Sequence, residues 1–271
     1  MSCADPFDID ALDARYSTIL CDLWGVVHDG FHLFPGSAER LARWSEEGRK
    51  VILITNAPRT AATVRRQLDR LGLPRDAYHG ISTGGQAGID ALARLGRPAG
   101  FIGTRADRLD LAAVGLHFVA EDFTDLACTG LDDERDAVAE YVGQLEALAA
   151  ADVLFHCLNP DRIVIHGGRA ELCAGALADE YEALGGRVCW YGKPWPAIYD
   201  HALGLAGNPP RDCVLAIGDG LQTDVLGAAR QGIDCLFVSG GIHAGEPFPA
   251  DFAYQHGLGA WRPVGTIDGI G

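Results

Sequence analysis

Short apolar runs alternate with amphipathic stretches along most of this chain, and most of the early apolar runs end on polar residues. Ile19-Leu20-Cys21 runs into Asp22, then Leu23-Trp24-Gly25 allows a sharp change of direction, so a buried strand is predicted over about 18–23. Residues 5–16 ahead of it read as a polar lead-in. After a loop from Phe31 to Pro35, Gly36-Ser37 opens a helix with Ser37 as its cap, Leu41 and Trp44 on one face and Gly48 at its end. Val51-Ile52-Leu53-Ile54 is a second strand, ending on Thr55-Asn56-Ala57. A helix from about Thr60 carries Val64, Leu68 and Leu71 and is closed by Gly72 and Pro74. Ile81-Ser82-Thr83 starts another unit, with a helix from Ala87 to Leu95. Strand, helix, strand, helix with polar strand exits is the grammar of a parallel sheet.

From roughly 97 to 187 the α/β alternation continues without that exit chemistry. Phe101-Ile102-Gly103, His117-Phe118-Val119 and Val153-Leu154-Phe155 read as strands. Val138, Tyr141, Val142, Leu145 and Leu148 form one helical stripe, and Leu172, Ala176, Tyr181 and Leu184 another. The first pattern then resumes: Val188 to Tyr191 is a strand followed by Gly192-Lys193-Pro194, with Pro194 suited to a first helical turn. Ile198, Ala202 and Leu205 continue that helix. Cys213 to Ile217 is a strand ending in Gly218-Asp219, with Asp224 five residues on, and Cys235 to Val238 is the last strand. The expected fold is α/β: a doubly wound parallel core, residues 1–85 and 187–271, with an inserted second α/β domain at 86–186.

A chain of 271 residues, 48% hydrophobic and 22% charged, is expected to pack a substantial core. Its formal charge of -15 argues against nucleic acid and anionic membrane as partners. The same charge repels phosphate esters, so a site for them needs local cations. Eight cysteines, at 3, 21, 128, 157, 173, 189, 213 and 235, include no CxxC pair and read as reduced core thiols. The start of the chain lacks signal-peptide character and no apolar run is long enough to span a bilayer, so a cytoplasmic location is expected. Self-association is left open.

In one parallel sheet the four strand exits bearing Asp22, Thr55-Asn56, Lys193 and Asp219 with Asp224 would share an edge. A carboxylate nucleophile facing a phosphoryl group needs positive charge between them. Mg²⁺, oxygen-seeking and held by one or two carboxylates, would supply it through Asp22 and Asp219. Lys193 would neutralise the nucleophile and the transferring oxygens, and the Thr55 hydroxyl and nearby N–H groups would bind the rest. Asp22 could then accept the phosphoryl group, with water releasing it in a second step.

Asp22-Leu23-Trp24-Gly25-Val26, Leu53-Ile54-Thr55-Asn56, Gly192-Lys193-Pro194 and Gly218-Asp219 with Asp224 resemble the four motifs of the haloacid-dehalogenase-like (HAD) phosphatase superfamily. Their spacing is similar to that of its NagD-like capped branch (class IIA), and the resemblance runs from about 18 to 240. It implies a Rossmann-like core with an inserted α/β cap domain at 86–186, Mg²⁺ and an aspartyl-phosphate intermediate in the hydrolysis of a small phosphorylated metabolite. By position it makes Asp22 the nucleophile, Thr55, Asn56, Ala57 and Lys193 the phosphate-binding set, and Asp22, the Trp24 carbonyl, Asp219 and Asp224 the metal shell. The phosphatase pattern has an aspartate two residues past the nucleophile, where this chain has Trp24; the carbonyl is kept and the proton carrier is lost. General acid–base catalysis is worth roughly 10²–10⁴-fold. Trp24 therefore leaves two alternatives open, a dehalogenase-like hydrolase acting at carbon and a phosphometabolite-binding protein with impaired turnover. His28 or Asp29 is the candidate replacement proton carrier, and Asn159-Pro160-Asp161 in the insert is a candidate specificity element. Gly84-Gly85-Gln86-Ala87-Gly88 lacks GxGxxG spacing and is not read as a dinucleotide loop.

Overall fold

The computed structural model describes residues 7–166, 169–241 and 248–271. Cys3, the start of the lead-in at Asp5 and the start of the tail at Gly245 lie outside them. The strands in chain order are β1 Thr18–Asp22, β2 Lys50–Thr55, β3 Gly80–Thr83, β4 Gly100–Ile102, β5 Asp125–Cys128, β6 Leu154–Cys157, β7 Ile163–His166, β8 Arg169–Leu172, β9 Arg187–Trp190, β10 Val214–Gly218, β11 Asp234–Val238 and β12 Gly265–Ile267. The helices are α1 Ser37–Glu46, α2 Ala61–Leu71, α3 Gly84–Leu95, α4 Arg105–Ala113, α5 Val142–Ala150, α6 Ala174–Ala183, α7 Pro196–Ala206, α8 Leu226–Arg230 and α9 Phe252–Gln255. The chain divides into two compact units, Met1–Thr55 with Arg66–Ser82 and Tyr199–Gly271, and Asn56–Arg65 with Thr83–Ile198.

The first unit is built on a six-stranded sheet of order β12-β11-β10-β1-β2-β3. Read from β3, this is the doubly wound order 3-2-1-4-5-6 with its switch point between β1 and β10. The ladders of β1 with β2 and with β10 are parallel. Ile19, Leu20, Val51, Ile52 and Leu53 are all 0% exposed, as expected for strands covered on both faces. In α1 the expected face is buried, through Leu41 and Trp44. Its N-cap is Gly36, in left-handed conformation, and not Ser37. The Ser37 hydroxyl donates instead to the carbonyls of Phe34 and Val27, at 2.8 and 3.1 Å. The segment after β10 is a π-turn, Leu221–Val225, leading into α8.

The second unit has its own parallel sheet, β4-β5-β6-β9, and an antiparallel β7–β8 hairpin. Its core gathers Leu126, Tyr141, Leu145, Phe155, Leu177 and Tyr181. β9 pairs with β6, Cys157 opposite Trp190, so the apolar run at 188–191 belongs to this sheet and not to the one containing β1. That corrects the expected single sheet edge: β1, β2 and β10 share one, whereas Lys193 follows a strand of the other sheet. Residues 117–119 make only an isolated bridge, Phe118 to Ala99. The stripe from Val138 is broken into a 3-10 turn, Val138–Glu140, and α5. Leu172 ends β8 rather than starting a helix, and α7 opens at Pro196 rather than Pro194.

Candidate active site

The register of the first sheet sets the site. Asp22, the last residue of β1, lies opposite Ile54, so Thr55 is one step further along the adjacent strand. On the other side Cys21 pairs with Ile217, which puts Asp219 just beyond the end of β10. These residues crowd the switch point, where ligands bind in open α/β sheets. Among the described residues, Asp22, Asp219 and Asp224 form a group whose carboxylate oxygens all lie within 4.8 Å of one another. All three are buried, at 6%, 3% and 4% exposure.

Small residues make room for these carboxylates. A β-carbon at Gly25 or at Gly241 would overlap the Asp219 carboxylate, and one at Gly218 would overlap that of Asp224. Gly25 also has φ +78°, which side-chain-bearing residues rarely adopt. Asp224 is oriented from its own turn: its Oδ2 accepts from the Thr223 hydroxyl at 3.1 Å and from the Gly220 N–H at 3.3 Å. The buried Tyr199 hydroxyl donates to the carbonyls of Thr223 and Asp224, each at 3.4 Å. Burial holds that phenol well above its ordinary pKa, so it remains a donor.

Trp24 sits two residues past Asp22 with 39% of its surface exposed, edge-on to the His28 ring at 5.3 Å between centroids. His28 is 1% exposed, and burial pulls its pKa down to about 4. Its Nδ1 accepts the Gly30 N–H at 2.9 Å. Asp29 caps the turn that follows, accepting from the N–H groups of Phe31 and His32 at 2.8 and 2.7 Å, and those bonds hold its carboxyl below the ordinary value. Both residues are committed to the loop, which argues against either as the replacement proton carrier.

In the second unit the Asn56 side chain acts as a brace. Its Oδ1 accepts the Lys193 N–H at 2.6 Å, and its Nδ2 donates to Asp161 Oδ1 at 2.7 Å and, more weakly, to the Lys193 carbonyl at 3.4 Å. Asp161 of the Asn159-Pro160-Asp161 turn thus meets the lysine loop through one side-chain amide. Gly192 is packed against Pro160 and Asn56 too closely for any β-carbon. The Ala57 carbonyl accepts from the Gly85 N–H at 3.0 Å, tying the chain after β2 to the start of α3. Lys193 itself is 3% exposed.

A buried polar chain escaped the sequence reading. His156 Nε2 lies 3.0 Å from Asp125 Oδ1, and its Nδ1 lies 2.8 Å from the Tyr191 hydroxyl. Burial raises the Asp125 pKa, but hydrogen bonds from His156, Thr124 and Arg97 outweigh it and hold the group low. Burial keeps His156 below its ordinary pKa despite that carboxylate, so the ring is neutral near pH 7. The ionised Asp125 takes the Nε2 proton, and Tyr191 donates to Nδ1. Strands β5 and β6 and the residue that follows β9 are cross-linked this way, two residues before Lys193.

Three buried carboxylates at the switch point offer the hard oxygen donors a divalent cation requires, and the residues present fit Mg²⁺. Comparison with known proteins finds relatives along most of the chain. A family model described as haloacid dehalogenase-like hydrolase matches residues 19–117, and a second HAD-hydrolase-like model matches 190–256. Ribonucleotide monophosphatase NagD of Escherichia coli K12 is 29% identical over 231 residues, 83% of this chain and 88% of its own. Human glycerol-3-phosphate phosphatase is 29% identical over 262 residues, 86% of this chain and 81% of its own. A crystal structure of a haloacid dehalogenase-like hydrolase from Brucella suis 1330 superposes with a TM-score of 0.82 at 35% identity, covering 97% of this chain and 99% of that one. Matched in both halves of its sequence and along nearly its whole length, the chain belongs to the haloacid dehalogenase-like hydrolase family, in its NagD-like phosphatase branch.

Proposed function

We propose that this protein hydrolyses a small phosphate monoester through an aspartyl-phosphate formed on Asp22, with Mg²⁺ as its cofactor. The observation that carries the reading is the meeting of Asp22, Asp219 and Asp224 within 4.8 Å. Mutual repulsion among three carboxylates makes the cluster a poor place for a phosphate unless a cation is bound. When bound, Mg²⁺ supplies charge neutralisation at the transferring oxygens. Asp22, Asp219 and Asp224, with the Trp24 carbonyl, are the residues proposed to hold it. The Asp22 oxygen attacks phosphorus, the ester P–O bond breaks with its electron pair leaving on the alcohol oxygen, and water then hydrolyses the acyl phosphate. Thr55 and Lys193 are proposed to bind phosphoryl oxygens, with Asn56 and Ala57 shaping the loop that presents them. The second unit, with Asp161 held against the lysine loop, is proposed to set specificity. No helix among the described residues is long and apolar enough to cross a membrane. A cytoplasmic setting belongs to the same proposal, since no disulfide joins the seven described cysteines.

The test is a phosphate-release screen over small phosphorylated metabolites, with Mg²⁺ and with EDTA, beside Asp22→Asn. Release that needs the metal and disappears in Asp22→Asn is expected. Phosphate release that survives Asp22→Asn, or halide release that survives EDTA, refutes the reading.

A further inference from the structure

We propose that the substrates of this enzyme are phosphate monoesters whose leaving group departs as a stable anion (enol and aryl phosphates), that acyl phosphates, although anhydrides, are turned over for the same reason, and that alkyl phosphate esters are poor substrates. This rests on Asp22 being the nucleophile, as proposed above, and adds the chemical class of what leaves.

The inference starts from the proton balance of the first step. As the Asp22 oxygen bonds to phosphorus, the scissile P–O electron pair moves onto the leaving oxygen. An alkyl alcohol is about as weak an acid as water, with pKa ~15.7, and needs a proton as it leaves. A phenol, with pKa ~10, or a carboxylic acid, with pKa ~4, leaves as its anion and takes a proton from solvent afterwards. The segment that follows the nucleophile, Leu23-Trp24-Gly25-Val26-Val27-His28-Asp29, offers two side chains able to carry a proton. Both are committed elsewhere: the His28 ring is 1% exposed with Nδ1 on the Gly30 N–H, and Asp29 Oδ1 accepts two backbone N–H groups. Asp219 and Asp224 are packed with Asp22 in the cluster that a cation would share.

The indole at position 24 sits in a built seat and is no loose surface ring. A β-carbon at Gly30 would overlap its six-membered ring, at 2.9 Å from Cζ2 and 3.0 Å from Cζ3. Gly30 has φ +93°, a conformation glycine adopts freely. The His28 ring lies against Trp24 at 69°. The loop is therefore shaped around an indole, which can neither give nor take the leaving-group proton, two residues from the attacking carboxylate.

The experiment measures kcat/KM for phosphate release with Mg²⁺ over phenyl phosphates of graded acidity, acetyl phosphate, ethyl phosphate and glycerol 3-phosphate. Breakdown of the aspartyl-phosphate is common to all of them, so kcat/KM, which reports steps up to transfer, is the informative quantity. A steep rise with leaving-group acidity is expected, with the alkyl esters at least ~100-fold below phenyl phosphate, the low end of what a general acid contributes. Trp24→Asp is expected to raise the alkyl-to-phenyl ratio at least ~10-fold toward that of an acid-assisted enzyme. Trp24→Phe should keep the native ratio. Alkyl esters within ~10-fold of phenyl phosphate in the native enzyme refute the proposal. So does a folded Trp24→Asp that leaves the ratio unmoved; if that variant fails to fold, the native series alone decides. Phosphate release surviving Asp22→Asn refutes the nucleophile assignment instead, so the two failures are told apart.

Discussion

Replacing Asn56 by alanine separates a brace from a substrate ligand. The change removes the acceptor that the Lys193 N–H uses at 2.6 Å and the donor that Asp161 uses at 2.7 Å; the 3.4 Å contact to the Lys193 carbonyl is too long to add much. A buried backbone donor deprived of its acceptor costs ~1–3 kcal/mol, and a hydrogen bond to an ionised carboxylate is worth ~1.5–3 kcal/mol. Asp161 is half-buried and can turn to water, so the low end applies to it. The expected loss is ~2.5–4.5 kcal/mol, confined to the second unit. Hydrogen exchange read on peptides covering Lys193 should show its amide opening faster, alongside an earlier urea transition. If Asn56 bound substrate and braced nothing, Asn56→Ala would raise KM and leave both readouts alone. A loss below ~1 kcal/mol with unchanged exchange at Lys193 refutes the reasoning.

Two further outcomes follow from the same geometry. His156 is held neutral by burial, so the unfolded chain binds more protons as pH drops below about 6.5. The second unit should lose stability through that window as pH falls, by no more than ~1.4 kcal/mol per pH unit from this one group. Asp125, whose folded pKa is lowered, adds its own loss only at lower pH, as it is protonated. Urea midpoints at pH 7 and 5 check this; a His156→Gln variant with the same pH slope as the native chain contradicts it. Gly25→Ala places a methyl group on the Asp219 carboxylate at φ +78°. Left-handed strain alone is ~1–2 kcal/mol, and the carboxylate must move besides, so Mg²⁺ binding by calorimetry should weaken at least ~10-fold. Unchanged affinity would show that Asp219 has room to yield.

The first sheet was readable because each of its central strands is a closed apolar run whose two faces are both covered. An apolar run terminated by a carboxylate and a glycine is a local signal, and Asp22 and Asp219 both carry it. Strand partnership is not local. β9 ends in the same kind of polar exit as β1 and β2, yet its hydrogen-bonding partner is β6, and nothing within 187–193 says so. β5 went unread because it opens on an aspartate and spans only four residues, Asp125-Leu126-Ala127-Cys128. Its aspartate meets His156 across 31 residues and His156 meets Tyr191 across 35, contacts that only strand register creates. The bracing role of the Asn56 side chain escaped the sequence for a different reason. An amide after a strand reads equally well as a phosphate donor or a backbone clamp, and the choice depends on a loop 137 positions away.

The glycines around the acidic cluster constrain the history of the sequence as well as its geometry. At positions 25, 218 and 241 any side chain collides with a carboxylate already in place. A lineage could acquire a larger residue there only after an aspartate had shifted or been lost, so the order of substitutions matters. Relatives that differ at one of these positions should differ at the facing aspartate or its backbone too.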